Sequence, residues 1–428
     1  GTKLMATILN FSNFTFTDEQ IRSVKELLYD EIVKSPELEA LHTVYEGIVY
    51  DKEIGFVGAG GLVGVANQGC DPTPQAYNIG TRKITWEPKG WEIYIAECFK
   101  DIEATAGVYS LKTGIAIEDF TGSDYVNLVL EVLANSVKDF IIRLLWFSDT
   151  EATNTIVEEL PTAAVAEQAE GHAIVGTVYA GVTSSTEGAV KCALANKTIV
   201  YLAATAAEGN AVAGTIYYSK DAENKITIYS GGTITPGVNT GYFTILNGFF
   251  KQIETQYTAN SAQRVTITEN AGVSYSAQAL AKTNVQGYLE SMVYGADITL
   301  RSKADSFILC TQSFYDGYSK SLQGLSLDGL YSNLLNGQKT LTFNGIPLIP
   351  LPIWDKIILS YYNNGVKLVN PHRAVYTHKD FLAVGLDSIA SFSDANVRHD
   401  LDSRRVKIEL MGKADAKLLN PKMFVVAI

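Results

Sequence analysis

Side chains able to do chemistry are sparse in this sequence of 428 residues, and most are spaced wrongly for it. Gly58-Ala59-Gly60-Gly61-Leu62-Val63-Gly64 is the run that could be mistaken for a dinucleotide loop. Such a loop opens directly into a helix that receives the pyrophosphate, with an acidic residue at the end of the next strand. Asn67-Gln68-Gly69-Cys70-Asp71-Pro72 follows instead and is poor helix sequence, so a flexible hairpin base is expected and no cofactor. The histidines are His42, His172, His372, His378 and His399. His372 and His378 lie six residues apart across a predicted strand, roughly 20 Å, too far to share a metal. The four cysteines, at 70, 98, 192 and 310, have no metal-type spacing and are too few for a disulfide framework, so free thiols are expected. Asp149 with Glu151, and Asp400 with Asp402, are the carboxylate pairs available for acid–base work, but they sit in turn segments with nothing placed opposite. No HExxH, CxxC or Gly-x-Ser-x-Gly pattern occurs. The expectation is a protein without catalytic, cofactor or metal residues.

A different set suggests contact rather than catalysis. Lys83, Trp86, Lys89 and Trp91 crowd two adjacent strand-like runs, and Arg404, Arg405 and Lys407 open a later one. The cations fit contacts between neighbouring copies, or equally a solvated charged face. Phe11, Phe14 and Phe16 lie in an N-terminal stretch without helical phase, an extended arm that needs a neighbour to cover its rings.

The bulk properties narrow the class. The formal net charge of -12 argues against a surface that binds nucleic acid through phosphate contacts, which need clustered Lys and Arg. Hydrophobic content of 46% with 19% charged residues indicates folded units, two or three at this length. No run approaches the roughly 18 apolar residues of a membrane span and no secretory leader precedes the first helix, so a soluble chain is expected, with no membrane partner.

The elements that would carry these residues follow from periodicity. Asp124 to Phe147 has the longest helical phase: Val126, Val129, Leu130, Leu133, Val137, Phe140, Ile141 and Leu144 form one apolar stripe. Before it, Thr17-x-x-Gln20 is a capping box and Ser35-Pro36 starts a short helix. Strands at Thr81–Glu87 and Trp91–Ala96, joined by Pro88-Lys89-Gly90, predict a hairpin. Residues 158–238 lack Arg, Trp and Phe, and their short runs of Val, Ile, Thr and Tyr between turn residues predict a small inserted all-β domain, with a helix possible at Thr186–Ala195. Further on, a helix is predicted at Ser276–Tyr294 and a strand at Phe307–Thr311 that turns directly into a helix. Edge or loop geometry is predicted for the proline-rich LTFNGIPLIPLPIWD, and a strand for Ile357–Tyr362. NPHRAVYTHKDFLAVGLD predicts a strand and a helix start. The alternation of Val406, Ile408 and Leu410 with Lys407 and Glu409 predicts a strand, and Phe424–Ile428 a buried one.

In this order, with the blocks WEPKGWEIYIAECFKDI, RLLWFSDTEA, GYFTILNGFFKQI, FILCTQSFYDGYSKSL and VKIELMGKADAKLLNPKMFVVAI, the chain resembles a major capsid protein of a tailed bacteriophage with the Hong Kong 97 fold. The resemblance implies an α+β chain. Residues 1–54 would be an N-terminal arm with helices, 55–98 the extended loop hairpin, and 99–157 a peripheral domain with the long helix as spine. The inserted β domain would occupy 158–238, the axial domain 239–388, and C-terminal strands of the peripheral domain 389–428. It implies self-assembly of hexamers and pentamers into an icosahedral head shell. It also implies scaffolding, portal and possible decoration proteins as partners, double-stranded DNA faced without specific recognition, and a virion location after assembly in the host bacterial cytoplasm. Phe11, Phe14, Phe16, Lys83, Trp86, Lys89, Trp91, Arg404 and Arg405 are then the candidate inter-subunit contacts. No charged coiled-coil leader is present, so scaffolding would be supplied separately or already cleaved. A secreted or surface adhesin-like protein is the competing class, suggested by the Thr/Ala/Gly-rich insert and weakened by the long helices.

Overall fold

The computed structural model describes residues 38, 40–60, 78–98, 136–153, 156–161, 178–179, 189–193, 199–203, 217–220, 225–230, 233–259, 263–272, 274–322, 331–333, 339–363, 367–387, 396–400, 405–420 and 422–428. In chain order, β1 (Thr43–Tyr45), β2 (Lys52–Gly60), β3 (Asn78–Trp86) and β4 (Lys89–Cys98) precede a helix over 136–147, α1. Six strands follow: β5 (Ile156–Pro161), β6 (Val178–Tyr179), β7 (Ala189–Ala193), β8 (Ile199–Ala203), β9 (Tyr217–Lys220) and β10 (Lys225–Ser230). Next come α2 (Phe249–Ala259), β11 (Arg264–Val265), α3 (Lys282–Gly295), α4 (Ile298–Arg301), β12 (Phe307–Cys310) and α5 (Gln312–Ser321). The chain continues through β13 (Tyr331–Asn333), β14 (Lys339–Phe343), β15 (Ile346–Pro350) and α6 (Pro352–Tyr361). It closes with β16 (Ala374–Thr377), β17 (Leu382–Leu386), β18 (Asn396–Asp400), β19 (Arg405–Leu418) and β20 (Val425–Ala427). The protein is thus a mixed helix-and-sheet chain, divided into two compact units: Gly1–Lys138 with Leu382–Leu419, and Asp139–Phe381 with Asn420–Ile428.

In the first unit, the long strand β19 pairs with β4, β17 and β18, and β1 joins β17 in parallel. β2 and β3 form a separate antiparallel ribbon of two strands. The predicted hairpin is therefore corrected. β3 and β4 are both strands, but Pro88 separates two that take different partners: β3 turns back along the glycine-containing β2, and β4 runs along β19 for ten pairs, from Lys89↔Ala414 to Cys98↔Arg405. Alternation alone names a strand, and pairing depends on which other strand covers the apolar face. The glycines Gly58 and Gly60 lie at the end of β2, opposite Gly80 and Asn78, so this part of the run is strand, and the rest of it, from Gly61, lies outside the described residues.

The second unit holds a seven-stranded sheet ordered β11-β20-β16-β12-β15-β14-β13. Strand period two explains why both its faces are covered. Ile308 and Cys310, Ala374 and Tyr376, and Val425 and Ala427 join one core with Val285, Leu289, Met292 and Val293 of α3 and Phe314 and Tyr318 of α5. The alternate residues Leu309, Val375 and Val426 are also fully buried and pair across β12, β16 and β20. α3 and α5 pack closely because position 317 is glycine: a Cβ there would meet Val285 Cγ2 at 2.8 Å.

Four further expectations change here. Ile357–Tyr362 is mostly helix, not strand: Pro352 sits in the first turn of α6, and Trp354, Ile357 and Ile358 share its buried face at three- and four-residue spacing. β15 is an interior strand despite two prolines, because it bonds β14 at Ile346–Pro347 and β12 at Leu348–Pro350, never both sides at once. Asn344 and Gly345, at φ 53° and 81°, make the left-handed turn of the β14–β15 hairpin. Thr186–Ala195 contains the strand β7 rather than a helix, and the expected helix start after Thr377 is the short 3-10 turn Lys379–Phe381 leading into β17. The described strands β5 to β10 form two three-stranded sheets, β5-β10-β9 and β6-β7-β8. The capping box at Thr17, the helix at Ser35-Pro36 and residues 124–135 of the predicted long helix lie outside the described residues. β18 and β19 belong to the first unit and β20 to the seven-stranded sheet of the second.

Candidate functional site

The base of the β2–β3 ribbon is packed and hydrogen-bonded into the first unit. Trp86, the last residue of β3, is fully buried and packs with Ile48, Ala383 and Leu419, with Tyr45 and Ile84 beside them. Its ring lies over Gly385, where a Cβ would come within 2.9 Å of it. The next residue is fixed as well: the Glu87 N–H donates to Asp415 Oδ2 at 2.7 Å. Asp415 also accepts from its neighbour Ala416 N–H and faces Lys417 at 3.4 Å, yet burial raises its pKa above the usual carboxylate value. Lys413 Nζ donates to Val49 O and lies over the Tyr50 ring, tying the segment that enters β2. The ribbon is thus held where its two strands enter the body. Beyond that, Glu53, Lys83 and Thr85 are exposed. Lys83 Nζ meets Glu53 Oε2 at 2.7 Å, and this hydrogen bond raises the Lys83 pKa.

The other candidate contacts sort by burial. Trp91 is buried opposite Gly412 in the β4–β19 ladder, where a Cβ would come within 2.5 Å of Trp91 Cζ2. Both tryptophans therefore belong to the interior of the unit. Lys89 and Arg405 are exposed at opposite ends of the same ladder. Phe11, Phe14, Phe16 and Arg404 lie outside the described residues.

The second unit contains a cluster of rings with two arginines that sequence reasoning passed over. Trp146 of α1 has ring centroids at 4.9 Å from Phe249, 5.2 Å from Phe250 and 4.7 Å from Trp354. Beside it, Arg373 is buried under Phe147, Phe250 and Tyr362, with its guanidinium 4.5 Å from the Phe250 centroid. Its Nε donates to Asn370 O and its Nη2 to Val369 O, and burial pushes its pKa down to about 10. Arg143 is half-buried among Phe140, Tyr242, Phe243 and Tyr361, 5.3 to 6.0 Å from their centroids, and burial lowers its pKa as well. Two arginines among aromatics are invisible to motif reading, because their positions, 143 and 373, are distant in sequence.

The titratable groups weighed for chemistry take structural places. His372 Nε2 donates to Gln278 O at 2.6 Å, and Nδ1 shares a hydrogen bond of 2.8 Å with Ser313 Oγ. Burial pushes its pKa down against the raising effects of Gln278 O and Glu269. His378 is buried at the other end of β16 and its pKa is also lowered, by burial first. Asp149 and Glu151 face Lys251 at 3.3 and 2.8 Å. Cys310 is buried and free, its thiol pKa raised by burial, which suppresses the reactive thiolate. Among the described residues no helix is long and apolar enough to cross a membrane.

No family model matches the sequence, and no curated protein matches it. Three solved structures to which the chain is similar are the satellite phage P4 procapsid including size determination (Sid) protein, the holo-SrpI encapsulin complex from Synechococcus elongatus PCC 7942, and the capsid of the cyanophage P-SCSP1u. The first has 8% identity and a TM-score of 0.43, over 96% of this chain and 90% of that chain. For the encapsulin the values are 8% and 0.40, over 92% and 86%. For the cyanophage capsid they are 12% and 0.38, over 90% and 86%.

Proposed function

We propose that this chain is the major capsid protein of a tailed bacteriophage and builds its icosahedral head shell, a structural role and not a catalytic one. The observation that carries the reading is the β2–β3 ribbon. Its two nine-residue strands pair only with each other among the described residues, while Trp86, Asp415 and Lys413 fasten its base. A two-stranded ribbon is marginal in water by itself and gains its ordering energy by lying on another surface. A neighbouring copy in a closed symmetric array provides that surface at every position.

On this reading the ribbon is the extended loop of a Hong Kong 97 fold, in place of the predicted β3–β4 hairpin. The helix through α1 is the spine, residues 239–388 belong mostly to the axial domain, and 158–238 are an inserted β domain. The exposed Lys83, Lys89 and Arg405 remain as contacts between subunits, with Arg404 and the phenylalanines of the N-terminal arm. Partners are further copies in hexamers and pentamers, scaffolding, portal and decoration proteins, and packaged double-stranded DNA faced by an acidic wall. The location is the virion, after assembly in the bacterial cytoplasm. Charge reversal at Lys83 or Arg405 tests the contacts: shells or rings seen by negative-stain microscopy for the wild-type chain should be lost while the monomer stays folded. Unchanged assembly would remove these residues from the interface.

A further inference from the structure

Arg143 and Arg373 present the same problem with opposite solutions. A guanidinium drawn into an aromatic environment loses hydration, and its N–H groups need acceptors in exchange. Arg373 has them, in the carbonyls of Asn370 and Val369. Arg143 makes no hydrogen bond or ion pair among the described residues, and its Nε is buried without an acceptor. The nearby carboxylate does not serve it: Asp139, one turn earlier on α1, is paired with Lys356 of α6. Four rings lie 5.3 to 6.0 Å from the guanidinium carbon, and the Nε–H among them has no acceptor. The site is open to solvent on one side, since Arg143 is only half-buried and Tyr242 is 56% exposed. Leu359, 59% exposed, lies one turn beyond Lys356 on α6.

We propose that Arg143 is an anchor that receives an Asp or Glu carboxylate from a second copy of this chain, with Tyr242 as the apolar rim of the contact. This rests on the shell-forming reading. A carboxylate matches the forked donors of a guanidinium in a way no neutral group does, and rings that exclude water strengthen the pair. Arg with Tyr is also the composition of residues that dominate interface energies. The partner's supply of such groups is ample, because the chain carries 46 Asp and Glu against 34 Lys and Arg. The same excess of acid makes a half-buried, aromatic-framed cation complementary to this protein's own surface rather than to nucleic acid.

The test uses the full chain. Arg143→Gln should raise the protein concentration at the midpoint of self-association, followed by sedimentation velocity, by about tenfold or more, with circular dichroism unchanged. Arg143→Lys, mixed as ordinary and 15N-labelled copies and treated with a carbodiimide, should yield peptides joining position 143 of one isotope to an Asp or Glu of the other. If Arg143→Gln does not fold, Tyr242→Ala reads the same surface, because that side chain is mostly exposed, and the same rise is expected. Unaltered self-association in a folded variant, or cross-links from position 143 only within one isotope, would overturn the anchor and leave the shell-forming reading standing. A wild-type chain that stays monomeric at every concentration, even with a scaffolding partner supplied, would overturn both.

Discussion

Gly412→Ala examines the packing that sets where β4 belongs. Gly412 stands directly opposite Trp91, and a methyl built there would lie 2.5 Å from Cζ2, 2.8 Å from Cε2 and 3.2 Å from Nε1 of the indole. Ordinary contact begins at about 3.4 Å, so the ring or the strand must retreat by roughly 1 Å. Neither can do so freely: Trp91 is 5% exposed, and the ladder on both sides of the pair is continuous from Lys89 to Cys98. Overpacking of this kind costs about 1 to 3 kcal/mol. The assay is guanidinium unfolding of the full chain, with hydrogen exchange of the β4 and β19 amides to localise the loss to this unit. Trp91→Leu combined with Gly412→Ala should recover part of the loss, giving a coupling of about 1 kcal/mol in a double-mutant cycle. A Gly412→Ala chain within about 0.5 kcal/mol of wild type, with no coupling to Trp91, would refute the β4–β19 register and reopen the β3–β4 hairpin.

Other expectations follow from single sites. Arg373→Met keeps much of the packing against Phe147, Phe250 and Tyr362 but strands the carbonyls of Asn370 and Val369, and should cost about 2 to 4 kcal/mol in denaturant unfolding. His372 and His378 both have pKa values lowered from 6.5 in the folded chain, so between the folded value and about 6.5 the unfolded chain binds more protons. Stability should therefore fall as pH drops below about 6.5, and His372→Gln should flatten the dependence of the thermal midpoint on pH between 7.5 and 5. Ile141→Asp places a charge at a position 2% exposed in α1 and should cost more than about 3 kcal/mol or prevent folding, seen by circular dichroism. Lys83→Glu, in the exposed ribbon, should leave the monomer spectrum intact and act on assembly alone.

The sequence was legible where one element's own pattern decides its state. The C-terminal half of the long apolar helix, the Phe307 strand turning into α5, and the buried terminal strand β20 all stand as periodicity predicts. It was misleading where a partner decides. Ile357 and Ile358 favour strand by type, but Pro352 and the space beside Trp146 made α6 a helix. Trp86 and Trp91 sit on runs that alternate well enough to suggest a hairpin, and only Gly385 and Gly412, some 300 residues later, reveal the surfaces that receive them. For the candidate site the division is the same. Lys83, Lys89 and Arg405 were found as charges on strands, whereas Arg143 and Arg373 drew no notice because their environment comes from rings at 140, 147, 242, 243, 250, 361 and 362.

The most direct measurement of the central claim is negative-stain microscopy of the purified full chain over a range of concentrations, beside the same chain with the ribbon charge reversed by Lys83→Glu. A shell-forming subunit gives closed particles or rings of five and six for the wild type, and folded subunits without them for the variant. A wild-type chain that remains monomeric at high concentration, even with a scaffolding partner supplied, would contradict it.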